Sequence, residues 1–159
     1  MARKIIWLKL LAITLVSGMA IVGCDTGSTN DQKTDSDLNG TWVFETEGKS
    51  IYENTFDNGY WEQSINGIPN LKGTYTASNG ILTTSISHIN GSIFNIGLES
   101  KWYLKNELET ELKRSGEFSE ENIKEIIKTY DNKESIGYSI KGNTLSFNGG
   151  ELGPFTRKN

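Results

Sequence analysis

The chain reads as mainly β: an antiparallel up-and-down β-barrel of about eight strands, with a short two-helix insertion before the last strands. Three observations lead there. The dipeptides Asn58-Gly59, Asn79-Gly80 and Gly142-Asn143 each lie between runs of strand-forming residues, and Asn and Gly supply the positive φ that a two-residue hairpin turn needs. Outward from each turn, large apolar side chains alternate with small polar ones, the period of a half-buried strand. The composition agrees: two prolines in the whole chain, many glycines, and 15 Trp, Tyr and Phe after residue 23 lean towards sheet.

Strands are expected at 40–47, 50–57, 60–66, 72–78, 81–89, 134–141, 144–148 and 154–158. A further strand at 92–98 has Phe94, Ile96 and Leu98 on one side, with Gly97 working against it. Pairing outward from Asn58-Gly59 sets Phe56 opposite Trp61, Asn54 opposite Gln63 and Tyr52 opposite Ile65 on one face, with Glu53, Thr55, Glu62 and Ser64 on the other. The Asn79-Gly80 hairpin puts Tyr75, Ala77, Leu82, Thr84 and Ile86 on one face, which continues to His88. The last hairpin does the same for Tyr138, Ile140, Leu145 and Phe147. A sheet of this size with one apolar face removes its open edges by closing on itself.

Between the hairpins the period changes. Leu104, Leu108 and Leu112 recur at i, i+4, i+8, and Ile123, Ile126, Ile127 and Tyr130 at i, i+3, i+4, i+7, which predicts two amphipathic helices parted by Ser115-Gly116. Ser119 suits the N-cap of the second, with Glu120 and Glu121 in its first turn, where the helix dipole favours anions. The interleaved Glu and Lys of this region read as a solvated helical face.

At the N-terminus Arg3, Lys4 and Lys9 precede an uncharged run, Leu10 to Gly23, that ends in Ile21-Val22-Gly23-Cys24. The run is shorter than the roughly 20 apolar residues of a membrane span and fits a cleaved secretion signal. It resembles the bacterial lipoprotein signal peptide, with Ile21 in place of the commoner Leu. That resemblance implies removal of residues 1–23, acylation of Cys24, and attachment to a membrane of the cell envelope, inner or outer. Cys24 is the only cysteine, so no disulfide forms within the chain. Removing residues 1–23 takes three of the 16 Lys and Arg and none of the 20 Asp and Glu, leaving a net charge of −7. Such a domain lacks the cations that displace counterions from phosphates, and nucleic acid is not an expected partner. Residues 24–37 have no large apolar side chain and read as the acylated Cys followed by a flexible tether. Residues 38–159 form one domain.

Leu38-Asn39-Gly40-Thr41-Trp42 is similar to the Gly-x-Trp that opens the first strand of lipocalins, and Phe155-Thr156-Arg157 to their final strand. Lys72-Gly73-Thr74-Tyr75-Thr76 and the run from Tyr138 to Leu145 also resemble the small lipocalin-like lipoproteins of spirochaetes and Bacteroidetes. The likeness implies that Arg157 packs over Trp42, a structural pairing, and that the barrel holds a small molecule. The helical insertion departs from lipocalins proper.

His88 is the only histidine, so no second imidazole completes a zinc site, and no Gly-x-Ser-x-Gly elbow accompanies it. No catalytic residue, metal or cofactor is expected, and the protein is read as a binder rather than an enzyme. Asp35-Ser36-Asp37-Leu38-Asn39-Gly40 opens like an EF-hand loop, but Thr46 stands at the twelfth position, where calcium needs a bidentate Glu. The more specific signal is the inner face. Tyr52, Asn54, Trp61, Gln63, Thr84 and His88 offer aromatic walls with a few polar groups, as a small-molecule pocket requires. The same residues also suit a packed core in which Asn54 and Gln63 satisfy each other. With a solid core, the alternative function is a protein-interaction module, an inhibitor or adhesin, that meets its partner through the helices or the loop expected at 66–70.

Overall fold

The computed structural model describes residues 35–148 and 153–159; Cys24 and the signal lie outside them. Nine strands form: β1 (Gly40–Glu45), β2 (Ile51–Asp57), β3 (Tyr60–Ile65), β4 (Ile68–Ser78), β5 (Ile81–Asn90), β6 (Trp102–Tyr103), β7 (Lys133–Lys141), β8 (Thr144–Phe147) and β9 (Phe155–Arg157). Every pairing is antiparallel. The order β4-β3-β2-β1-β9-β8-β7-β5 returns to β4 through the β4–β5 pair, so eight strands close a barrel. The short β6 adds to the far end of β5, Ile89 opposite Tyr103.

Turn chemistry sets this topology. Asn58-Gly59 and Asn79-Gly80 have positive φ at both residues, the mirror-image turn whose twist matches the flanking strands. The three expected registers are all present: Phe56 opposite Trp61, Asn54 opposite Gln63 and Tyr52 opposite Ile65; Tyr75 opposite Thr84 and Ala77 opposite Leu82; Tyr138 opposite Phe147 and Ile140 opposite Leu145. These three turns mark one end of the barrel, its base. The helices and the β3–β4 turn mark the other, its rim.

Three expectations are corrected. The segment 66–70 is not a loop: Asn66 and Gly67 form another tight turn at φ 54 and 73, and Ile68 to Asn70 already belong to β4. Pro69, which lacks a ladder donor, is accommodated beside a bulge at Asn70. No strand spans 92–98. Gly91–Phe94 is a 3₁₀ turn, and Asn95 and Gly97 are left-handed, which extended backbone excludes; the extra strand is β6. Before β1 the chain forms a short 3₁₀ turn. Asp35 caps the 3₁₀ turn Ser36–Leu38 and accepts a hydrogen bond from the Tyr138 hydroxyl at 2.6 Å. Finally, His88 leaves the inner face. β5 carries one extra residue where Ile86 faces Gly73 and His88 faces Lys72, so His88 turns out with Lys72 while Ile89 turns in and is buried.

Among the described residues two α-helices form, α1 (Lys105–Ser115) and α2 (Glu120–Lys128). Leu104 is the N-cap of α1, half-exposed, with its N–H donating to Glu107 Oε2. Gly116, left-handed at φ 67, ends α1, and the Ser119 hydroxyl accepts from the Asn122 N–H to start α2. Leu108, Leu112, Ile123, Ile126 and Ile127 are buried and join the barrel interior in one contiguous apolar core. The Tyr130 hydroxyl, donating to the Tyr103 carbonyl at 2.8 Å, ties the end of this segment to β6.

Candidate functional site

The barrel interior divides at mid-height. Towards the base, Leu38, Trp42, Phe56, Tyr75, Ala77, Leu82, Tyr138 and Leu145 are buried. Trp42, opposite Arg157 across the β1–β9 pair, donates from its indole N–H to the Leu38 carbonyl at 2.8 Å. The Arg157 guanidinium lies over the indole at 4.2 Å from its centre and donates to the carbonyls of Asp37 and Asn39. Gly40 permits this, since a Cβ there would sit 2.7 Å from an Arg157 nitrogen and its φ is +124. The expected covering of Trp42 by Arg157 is therefore present, and Gly40 is its steric condition. Tyr75 and Tyr138 close the base by donating to Asn39 and Asp35. With both of its oxygens taken by Tyr138 and the Asp37 N–H, Asp35 serves the fold.

Towards the rim the lining changes character. Phe44, Tyr52, Ile86 and Phe147 face inward yet stay only partly buried. Tyr52, Phe44, Phe155 and Phe147 form an aromatic arc across β2, β1, β9 and β8, with successive ring centres 6.3, 5.5 and 5.7 Å apart. Phe147 is thus less buried than Trp42. Beside the arc runs a buried polar ladder. Asn70 Nδ2 donates to Gln63 Oε1 at 3.0 Å, and Gln63 Nε2 donates to Asn54 Oδ1 at 3.2 Å.

Of the six proposed lining residues, Tyr52, Asn54, Trp61 and Gln63 fall together on β2 and β3. Trp61 is buried and its indole N–H points to the Ser85 carbonyl at 3.4 Å. It reaches that far because its cross-strand partner is Gly73, where any Cβ would meet the Ser85 oxygen at 1.8 Å. Thr84 is buried on the opposite wall, between Tyr75 and Glu134 in register. His88 is not with them. It stands on the outer face with Nδ1 2.8 Å from the Ser87 hydroxyl, and burial together with the Lys72 ammonium holds its pKa below the usual value. Lys72 itself stacks on Trp102, 4.7 Å from the ring centre.

Two interior residues were not singled out from sequence. Asn70 escaped because it occupies a bulge, which has no period of its own. Glu134 had a signal: the alternation that turns Tyr138 and Ile140 inward reaches Ile136 and Glu134 without interruption. Its Oε2 is buried and meets no hydrogen-bond partner among the described residues, and burial raises the pKa of the carboxyl.

No family model matches the chain, and no curated protein or solved structure matches it.

Proposed function

We propose that this protein is a lipid-anchored binding protein of the bacterial cell envelope whose barrel, lipocalin-like in design, takes a small apolar or amphipathic molecule through its rim and acts by binding rather than catalysis. The observation that carries this reading is the contrast within one interior. Leu38, Trp42, Tyr75 and Leu145 at the base are sealed from water, while Phe44, Tyr52, Ile86 and Phe147 face inward and keep contact with it. Apolar walls that stay wet, set beside a few fixed polar groups, are what a small ligand dries on entering. The Gly40, Trp42 and Arg157 cluster supports the lipocalin likeness. The basic head, apolar run and Gly23-Cys24 junction support the anchor, for which two or more acyl chains give firm membrane attachment.

Two measurements test the parts separately. Cys24→Ala should move the protein from the detergent phase to the aqueous phase with its circular dichroism unchanged; unchanged partitioning would remove the anchor. Native mass spectrometry of the protein purified from its own host should find a small molecule released on unfolding. Failure to find one, together with interior resonances that ignore apolar probes, would put the protein-interaction module in its place.

A further inference from the structure

Among the described residues Glu134 is the one carboxylate that the strand registers turn towards the barrel interior, and its position is costly. A buried carboxylate oxygen without a donor forfeits hydration and receives nothing in return. Burial alone shifts its pKa upward, with no neighbouring charge or hydrogen bond to offset it. Among the described strand residues, Arg157 is the one cation turned to the same face, and it is committed at the base to Trp42 and the carbonyls of Asp37 and Asn39. Elsewhere polar side chains of the interior are paired: Asn54, Gln63 and Asn70 with one another, Tyr75 and Tyr138 with Asn39 and Asp35. Among the described residues the free acceptor is the one buried side-chain polar atom without a partner.

We infer that Glu134 receives the head group of the bound molecule, and that this molecule is an amphipathic amine: an ammonium on an apolar, preferably aromatic, body. The inference rests on the barrel interior being the binding site proposed above. An ammonium brings up to three donors and no acceptor, makes with a carboxylate the shorter and stronger charge-assisted hydrogen bond, and restores the charge balance that burial upset. The aromatic arc of Tyr52, Phe44, Phe155 and Phe147 suits the rest of such a molecule, since ring faces attract cations as well as apolar groups. The same geometry selects against anionic amphiphiles such as fatty acids, whose carboxylate would meet Glu134 in a medium that screens poorly.

The test is a titration of the full-length protein in non-ionic detergent with phenethylamine, its neutral analogue phenethyl alcohol and the anion phenylacetate, read by calorimetry and by side-chain resonances of Tyr52 and Phe147. The amine should bind at least tenfold more tightly than the alcohol, and phenylacetate more weakly than either. In Glu134→Gln the amine should lose tenfold or more while the alcohol changes less than about twofold. Thermal melting should show the variant folded, because the substitution keeps the shape and removes an unpaired charge. Amine binding that survives Glu134→Gln, or equal affinity for all three probes at the Tyr52 and Phe147 resonances, would overturn the inference and leave the interior site standing. Failure of every probe to perturb those resonances would overturn both.

Discussion

The base and the rim of this barrel are built from the same strands yet solve opposite problems. At the base each polar group is spoken for, and Trp42 is sandwiched between the barrel interior and a guanidinium that is itself anchored to two carbonyls. At the rim the aromatic rings are tilted or edge-on, Phe44, Tyr52 and Phe147 are only partly buried, and Glu134 has an oxygen with no partner among the described residues. Stability resides where every demand is met, and the capacity to receive something resides where one is not. Natural sequences keep such local inconsistencies chiefly at functional or strained positions.

The largest effect should come from emptying the base. Trp42→Ala removes a fully buried indole and its hydrogen bond to Leu38, and should cost about 3–5 kcal/mol in chemical denaturation. Phe147→Ala at the rim should cost about 1–2 kcal/mol, since that ring is only partly withdrawn from water. Equal costs would mean that the rim is packed as tightly as the base, and the contrast would dissolve.

Next comes the ladder between the two regions. Gln63→Leu keeps volume but leaves Asn70 Nδ2 and Asn54 Oδ1 buried without each other or a substitute, so it should lower stability by about 1–3 kcal/mol. A neutral result would show that water already reaches the ladder from the rim.

Glu134→Gln addresses the rim alone. The folded carboxyl has its pKa above the ordinary 4.5, so between the two values the folded state holds more protons than the unfolded one. Wild-type stability from this group therefore falls as pH rises from 4.5 through the folded pKa. The Gln variant should lack that decline and be the more stable protein at neutral pH. His88, its pKa lowered, works in the opposite sense below 6.5, so the difference between wild type and variant urea midpoints isolates Glu134. A difference that does not change with pH would show Oε2 to be solvated.

The smallest effect belongs to the outer wall. Thr83 shares only an exposed hydroxyl contact with Ser135 at 2.8 Å, and Thr83→Ala should stay within about 0.5 kcal/mol. A larger loss there would put the inner and outer faces in question.

Much of the interior was legible beforehand because hairpins are local. Asn58-Gly59 and Asn79-Gly80 set registers by themselves, and a period of two carries each register along the strand as far as nothing interrupts it. Both failures on the inner face are interruptions. At Ser87 the extra residue reverses the phase and sends His88 outward; Ile86 and Ile89, apolar and three apart, hinted that no unbroken strand could place both inside. At Asn70 the bulge lies behind Pro69, and the proline made a strand look like a loop. The Trp42 and Arg157 pairing was visible only through likeness to a family, because 115 residues separate two side chains that meet only when the last strand closes on the first.

By itself, then, the amino-acid sequence determined the main course of the eight barrel strands, three of their tight turns, the helical insertion and which aromatic residues share a face, since each depends on chemistry within a few residues. Only the tertiary structure decided the rest. Closure of β4 on β5 defines an interior at all, bulges choose where the phase flips, and burial removes partners from Glu134 while supplying them to Asn54, Gln63 and Asn70. Whether a polar side chain is satisfied depends on what the other strands bring to it, and that is a property of the closed barrel.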